Sequence, residues 1–165
     1  MHYLPKVLIC FCCSLASQQA FSGTATGSLP VTATVIGTCT IGSISPVAFG
    51  NYDPTSASPN NATGSINVIC TNGKTYNIGL NPGTFAGATV TTRQMTGAPP
   101  GTPLPYSLFR DSARTLNWGQ TIGTDTLALT GNGTTQTSTV YGEISALQAV
   151  TAGSYTDTVT ITVTF

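Results

Sequence analysis

Five carboxylates, five cysteines and one histidine are the residues from which this 165-residue chain could assemble a reactive site. A Ser/His/Asp or Cys/His arrangement needs a base to activate its nucleophile, and the single histidine, His2, stands in an export-type leader. Without that leader, catalysis of this kind has no imidazole to use. Glycoside hydrolysis needs only two carboxylates, which leaves Asp53, Asp111, Asp125, Glu143 and Asp157 as formal candidates. They lie scattered in turn-rich stretches and at strand ends, where carboxylates cap amides and face solvent, so no catalytic residue is expected. No dense run of Asp and Asn resembles a calcium loop, and no cofactor motif is present, so neither metal nor cofactor is expected.

The leader comprises residues 1–22: Lys6 supplies its positive end, residues 7–15 an apolar run too short for a bilayer span, and Ala20-Phe21-Ser22 a small-x-small cleavage site. Cys10, Cys12 and Cys13 leave with it. Cys39 and Cys70 remain, a single pair in an oxidising compartment, and are expected to form a disulfide. A metal site built on them would lack further ligands. Charged residues make up 6% of the chain and the formal net charge is zero, which excludes the electrostatic footprint of a nucleic-acid or anionic-membrane partner. Arg110, Asp111 and Arg114 suggest a local ion-pair cluster on an exposed turn. Tyr52, Tyr106, Trp118 and Tyr141 are the aromatics from which a sugar platform would be built, although sheet and core packing is the commoner use of such spacings. Asn61-Ala62-Thr63 and Asn132-Gly133-Thr134 match the glycosylation acceptor.

Positioning falls to strands. Residues 24–36 place Leu29, Val31, Ala33 and Val35 on one side of an extended chain and polar residues on the other. Beyond Cys39 the chain is rich in turn residues, with a short strand expected over residues 47–49. Residues 65–70 and 75–80 alternate cleanly around Asn72-Gly73, a hairpin signal. Further strands are expected over residues 88–95, 104–109, 116–118, 126–130 and 138–144, with Pro105 marking an edge. Val159, Ile161, Val163 and Phe165 alternate with threonines in the strongest strand of all, residues 157–165. Short strands separated by turn signals every eight to twelve residues or so predict an all-β, immunoglobulin-like sandwich.

The order of landmarks is more specific. GTC at residues 37–39, FGNYDP at 49–54, SINVICTNG at 65–73, then YNIGL, YSLFRDSAR with WG following, VYGEI, and AGSYTDTVTITVTF resemble the spore coat protein U domain family of archaic chaperone-usher pilins. The resemblance covers nearly all of the chain beyond the leader. It implies an incomplete immunoglobulin-like sandwich over residues 37–165, preceded by a donor-strand extension over residues 23–36. A periplasmic chaperone, and then the extension of a neighbouring pilin subunit, would fill the gap of the absent strand, with an outer-membrane usher carrying the fibre to the cell surface. By this resemblance Leu29, Val31, Ala33 and Val35 are donor anchors, and Val159, Ile161, Val163 and Phe165 border the acceptor groove and bind the chaperone. Pro30 departs from an ideal donor because it removes a ladder amide. The implied role is a fibre subunit supporting adhesion and biofilm formation. The alternative is a secreted spore or cyst coat protein, or a small surface- or carbohydrate-binding module. The length leaves no room for a separate receptor-binding domain, which favours a shaft subunit over a tip adhesin.

Overall fold

The structure is a computed structural model, and it describes residues 20–98 and 102–165. The leader through residue 19, with His2 and the three early cysteines, lies outside the described residues, as do residues 99–101 of the proline-rich loop. The chain divides into two units, 1–34 and 35–165. The described part of the first, residues 20–34, contains no strand.

Among the described residues the second unit holds nine strands and no helix: β1 (Cys39–Ser45), β2 (Asn60–Cys70), β3 (Thr75–Leu80), β4 (Arg93–Ala98), β5 (Leu104–Phe109), β6 (Leu127–Thr130), β7 (Thr135–Ile144), β8 (Ser154–Thr156) and β9 (Ile161–Thr164). They form a six-stranded sheet in the order β1-β2-β7-β5-β4-β8 and a three-stranded sheet in the order β6-β3-β9. Every ladder is antiparallel. This is an immunoglobulin-like β-sandwich.

Alternation decides the packing. Ile66, Val68 and Cys70 of β2, Leu108 of β5, and Val140 and Ile144 of β7 point inward from the large sheet; Tyr76, Ile78 and Leu80 meet them from the small one. Trp118, fully buried between them, donates its indole N–H to the Ile78 carbonyl at 2.8 Å. Arg93 is also fully buried, and its guanidinium donates to the carbonyls of Leu80, Asn81, Val90 and Trp118 at 2.7–3.0 Å. Burial lowers its pKa from the ordinary value, opposed by Tyr106 and the carboxylates of Asp157 and Asp125. Arg93 thereby joins β4 of one sheet to the end of β3 in the other.

Cys39 and Cys70 are directly opposite one another in the β1–β2 ladder and are bonded. Closing a loop of 31 residues restricts the unfolded chain by roughly 3–4 kcal/mol. We call the end of the sandwich holding this bond the lower end, and the Ser45 end the upper.

Several expected elements differ. The strand after Cys39 is β1 itself, whereas residues 47–49 form none. Asn72-Gly73 does make a turn, with the Lys74 amide donating to the Thr71 carbonyl at 3.0 Å, but it carries the chain from one sheet to the other instead of closing a hairpin. The Gly73 amide donates to the Gly131 carbonyl at 2.9 Å and the Gly133 amide to the Cys70 carbonyl at 3.1 Å, so the two Asn-Gly turns of the lower end are interlocked. β4 starts at Arg93, after turns over residues 88–92. β5 is interior to its sheet, yet Pro105 pairs only with β4, because β7 engages β5 from Ser107 onward. Residues 116–118 contribute an isolated bridge, Asn117 to Phe109. The last strand is shorter than the expected 157–165, with ladder pairing confined to Ile161–Thr164. Arg110 and Arg114 do not pair with Asp111: Arg110 donates to the carbonyls of Thr124 and Thr126, and Arg114 to that of Gly142, while Asp111 accepts from the Thr115 and Leu116 amides.

Candidate functional site

β1 has no partner on one side and neither does β9, and the two belong to different sheets. An open cleft of about 420 Å³ enters the core where Ser45–Val47 face Asp157–Ile161. Its floor is apolar: Ile66, Leu80, Leu108 and Val140. Ile44, turned toward Ile66 by the register, stays 53% exposed at the rim because no strand covers it. A free edge supplies a row of unpaired amides and carbonyls, and an apolar floor beneath it favours an extended, amphipathic occupant.

The segment that follows β1 closes the cleft above. Val47 and Phe49 lie against Gly64 of β2 and Gly142 of β7, where a Cβ on Gly142 would stand 2.5 Å from Val47 Cγ1 and 2.8 Å from Phe49 Cζ. Two glycines within these strands thus clear the space for this plug. Phe49 meets the Tyr106 ring edge-on, with centroids 6.4 Å apart.

One polar group stands at the upper end of the cleft. Asp157 accepts from the Tyr106 hydroxyl at 2.6 Å, the Thr84 amide and hydroxyl at 2.8 and 2.7 Å, and the Thr158 amide at 2.7 Å. Gly83, at φ +94°, passes so close that a side chain there would overlap the carboxylate. Burial pushes the Asp157 pKa up, but the hydrogen bonds from Tyr106, Thr84 and Thr158 outweigh it and hold the carboxyl below its ordinary value. Burial pushes the Tyr106 hydroxyl well up, and its bond to Asp157 adds to the shift. The pair therefore stays phenol and carboxylate across the physiological range.

Of the four residues expected to border a groove, Val159 and Ile161 line the cleft, while Val163 packs against the core lower down. Phe165, one residue beyond β9, is 52% exposed, with the Lys74 ammonium 5.9 Å from its ring centroid. Leu29, Val31, Ala33 and Val35 lie outside any strand; Leu29, Val31 and Val35 are 83–86% exposed. Sequence reasoning missed Ile44, Val47, Phe49 and the Tyr106–Asp157 pair. Gly64 and Gly142 were the available signal for the plug, since glycine inside a strand marks a close approach.

A second cavity of about 640 Å³ lies at the upper end, between residues 47–54 and 150–155. Asp53 stands between two of its lining residues, Tyr52 and Pro54. The other carboxylates do not converge: Asp53 caps Thr55, Asp111 caps its own turn, and Asp125 accepts from the Thr121 amide. No group of three or more His, Cys, Asp or Glu residues gathers among the described residues. No helix of the described residues is long and apolar enough to cross a membrane.

Comparison with known proteins agrees with the fold. A family profile described as the Spore Coat Protein U domain matches residues 25–162. Protein U of Myxococcus xanthus is 38% identical over 97% of this chain and 98% of its own length. Among solved structures, a chain of the CsuC–CsuE chaperone–tip adhesion subunit pre-assembly complex, from the archaic chaperone-usher Csu pili of Acinetobacter baumannii, superposes with a TM-score of 0.55 at 25% identity. That match covers 80% of this chain and 40% of the other, so it spans two fifths of the length of the solved chain. Profile, relative and fold converge: the chain belongs to the Spore Coat Protein U domain family.

Proposed function

We propose that this protein is a structural subunit of a chaperone-usher surface fibre, polymerising by donation of residues 23–36 into the cleft of the next copy. The observation that carries the reading is the open apolar cleft bounded by the free edges of β1 and β9 in an otherwise packed sandwich. Leu29, Val31, Ala33 and Val35 would supply alternate side chains to the cleft while their backbone pairs with β9. Val159 and Ile161 serve as acceptor residues, and Val163 and Phe165 continue the strand that a periplasmic chaperone would hold before assembly. An outer-membrane usher would then extrude the fibre to the cell surface, where it supports adhesion and biofilm formation. The role is structural and non-enzymatic, and it uses no cofactor. Each contact is head-to-tail, so it propagates a fibre instead of closing a ring.

The test compares the exported chain with a form lacking residues 23–36. Ladders that resist SDS and collapse on boiling, seen only with the extension present, together with rescue of the shortened form by the 23–36 peptide, are the expected result. A stable, non-laddering monomer would sink the reading. The match of residues 25–162 to the Spore Coat Protein U domain favours a second role, a secreted coat component. That role predicts protein in an extracellular shell and no filaments by electron microscopy.

A further inference from the structure

This inference rests on the fibre reading and concerns what the two ends of the sandwich do in it. β9 runs from the upper end, where Ile161 pairs with Leu80, to the lower end, where Thr164 pairs with Asn77. A strand filling the cleft antiparallel to β9, as every ladder of this fold is arranged, runs upward and leaves at the upper end. Only residues 36–38 then separate the last anchor, Val35, from Cys39 of the donor's own sandwich. Four residue steps reach about 14 Å at most. The lower end of the donor is therefore held against the upper end of the acceptor.

One end carries an exposed ring beside a cation, the other a cavity beside a carboxylate. The lower end presents Phe165, half exposed, with Lys74 over its ring; a Cβ on Gly37 would lie 2.9 Å from Lys74 Cδ, so this pair sits where the extension joins the sandwich. The upper end presents the 640 Å³ cavity with Asp53 at its margin. We propose that these ends dock in successive copies, Phe165 seating in the upper cavity of the next molecule and Lys74 meeting its Asp53. The partner is a second copy of this chain, and the contact makes each junction stiffer than a strand alone.

A zero-length carbodiimide cross-link tests this on the unmodified protein. Lys6 and Lys74 are the only lysines, and Lys6 lies in the leader. Within one molecule, Asp53 and Lys74 are at opposite ends of β2, whose 11 residues span about 33 Å, so a 53–74 product reports contact between copies. The expected result is that this product dominates Lys74 coupling in fibres, falls about tenfold in Phe165→Ala, and returns in the charge-swapped Asp53→Lys/Lys74→Asp pair. Fibres in which Lys74 couples elsewhere or not at all overturn the docking and leave the fibre reading intact. If no fibre forms, the fibre reading falls, and absence of the 53–74 product in concentrated monomer removes the docking with it.

Discussion

Replacing Asp157 by alanine removes the acceptor of four hydrogen bonds at the head of the cleft. Only one of the four donors is deeply buried: the Tyr106 hydroxyl, on a residue 7% exposed. Leaving a buried hydroxyl without a partner costs about 1–3 kcal/mol. The bonds from Thr84 and Thr158 face solvent and are discounted to roughly 0.5 kcal/mol each. Asp157→Ala is therefore expected to cost about 3 kcal/mol, a large share of a typical domain's stability. Tyr106→Phe removes the donor and leaves the carboxylate its other three bonds, so it should cost only about 1 kcal/mol. In the Tyr106→Phe background no hydroxyl is stranded, and Asp157→Ala becomes milder by about 1 kcal/mol. Because folding lowers the Asp157 pKa below 3.8, its contribution is complete above that value and fades as pH falls through the lower, folded-state value. Urea unfolding followed by circular dichroism on the monomeric fraction measures all of this. Equal costs for the two single variants, or a wild-type advantage that persists unchanged well below pH 3.8, would refute the reasoning.

Arg93→Met keeps the volume but strands buried carbonyls that now share one guanidinium, and an unfolding loss of at least about 3 kcal/mol is expected. Cys39→Ser with Cys70→Ser should lower stability by roughly 3–4 kcal/mol under oxidising conditions and by little in excess reductant. Gly142→Val should leave no room for Val47 and Phe49; proteolysis of residues 46–50 should then speed up by about tenfold or more. Val31→Asp on the extension should abolish SDS-resistant ladders while leaving the urea midpoint of the sandwich unchanged, since residue 31 belongs to the other unit.

Much of the sandwich was legible because β2, β5 and β7 alternate strictly and the apolar residues of β3 fall at every second position: a strand buried on one face writes its period directly into the sequence. β1 was hidden by its irregularity. The ladder register shifts between Ile41 and Ile44, so the apolar residues of CTIGSIS fall out of step with a period of two. Asn72-Gly73 announced a turn correctly, but local turn chemistry says nothing about which sheet the next strand joins. Nothing in the sequence marked Arg93 as buried, because its partners are the carbonyls of Leu80, Asn81, Val90 and Trp118 and not a carboxylate. Val159 and Ile161 follow the alternation of the last segment, although only Ile161 falls within β9. Val47 and Phe49 act from a segment without secondary structure, so only the two glycines facing them carried the signal.

The interlocked turns of the lower end bear on chemical lifetime. An Asn-Gly pair ages when the glycine backbone nitrogen attacks the asparagine amide carbon, expelling ammonia and closing a succinimide ring. In both pairs that nitrogen is already committed as a donor, Gly73 to the Gly131 carbonyl and Gly133 to the Cys70 carbonyl, and the Asn132 side-chain oxygen is held by the Thr134 amide and hydroxyl. Ring closure must wait until the turns separate. Deamidation at either asparagine is thereby tied to local unfolding of the other turn, and the two most age-prone dipeptides of an exported protein become sensors of its folded state.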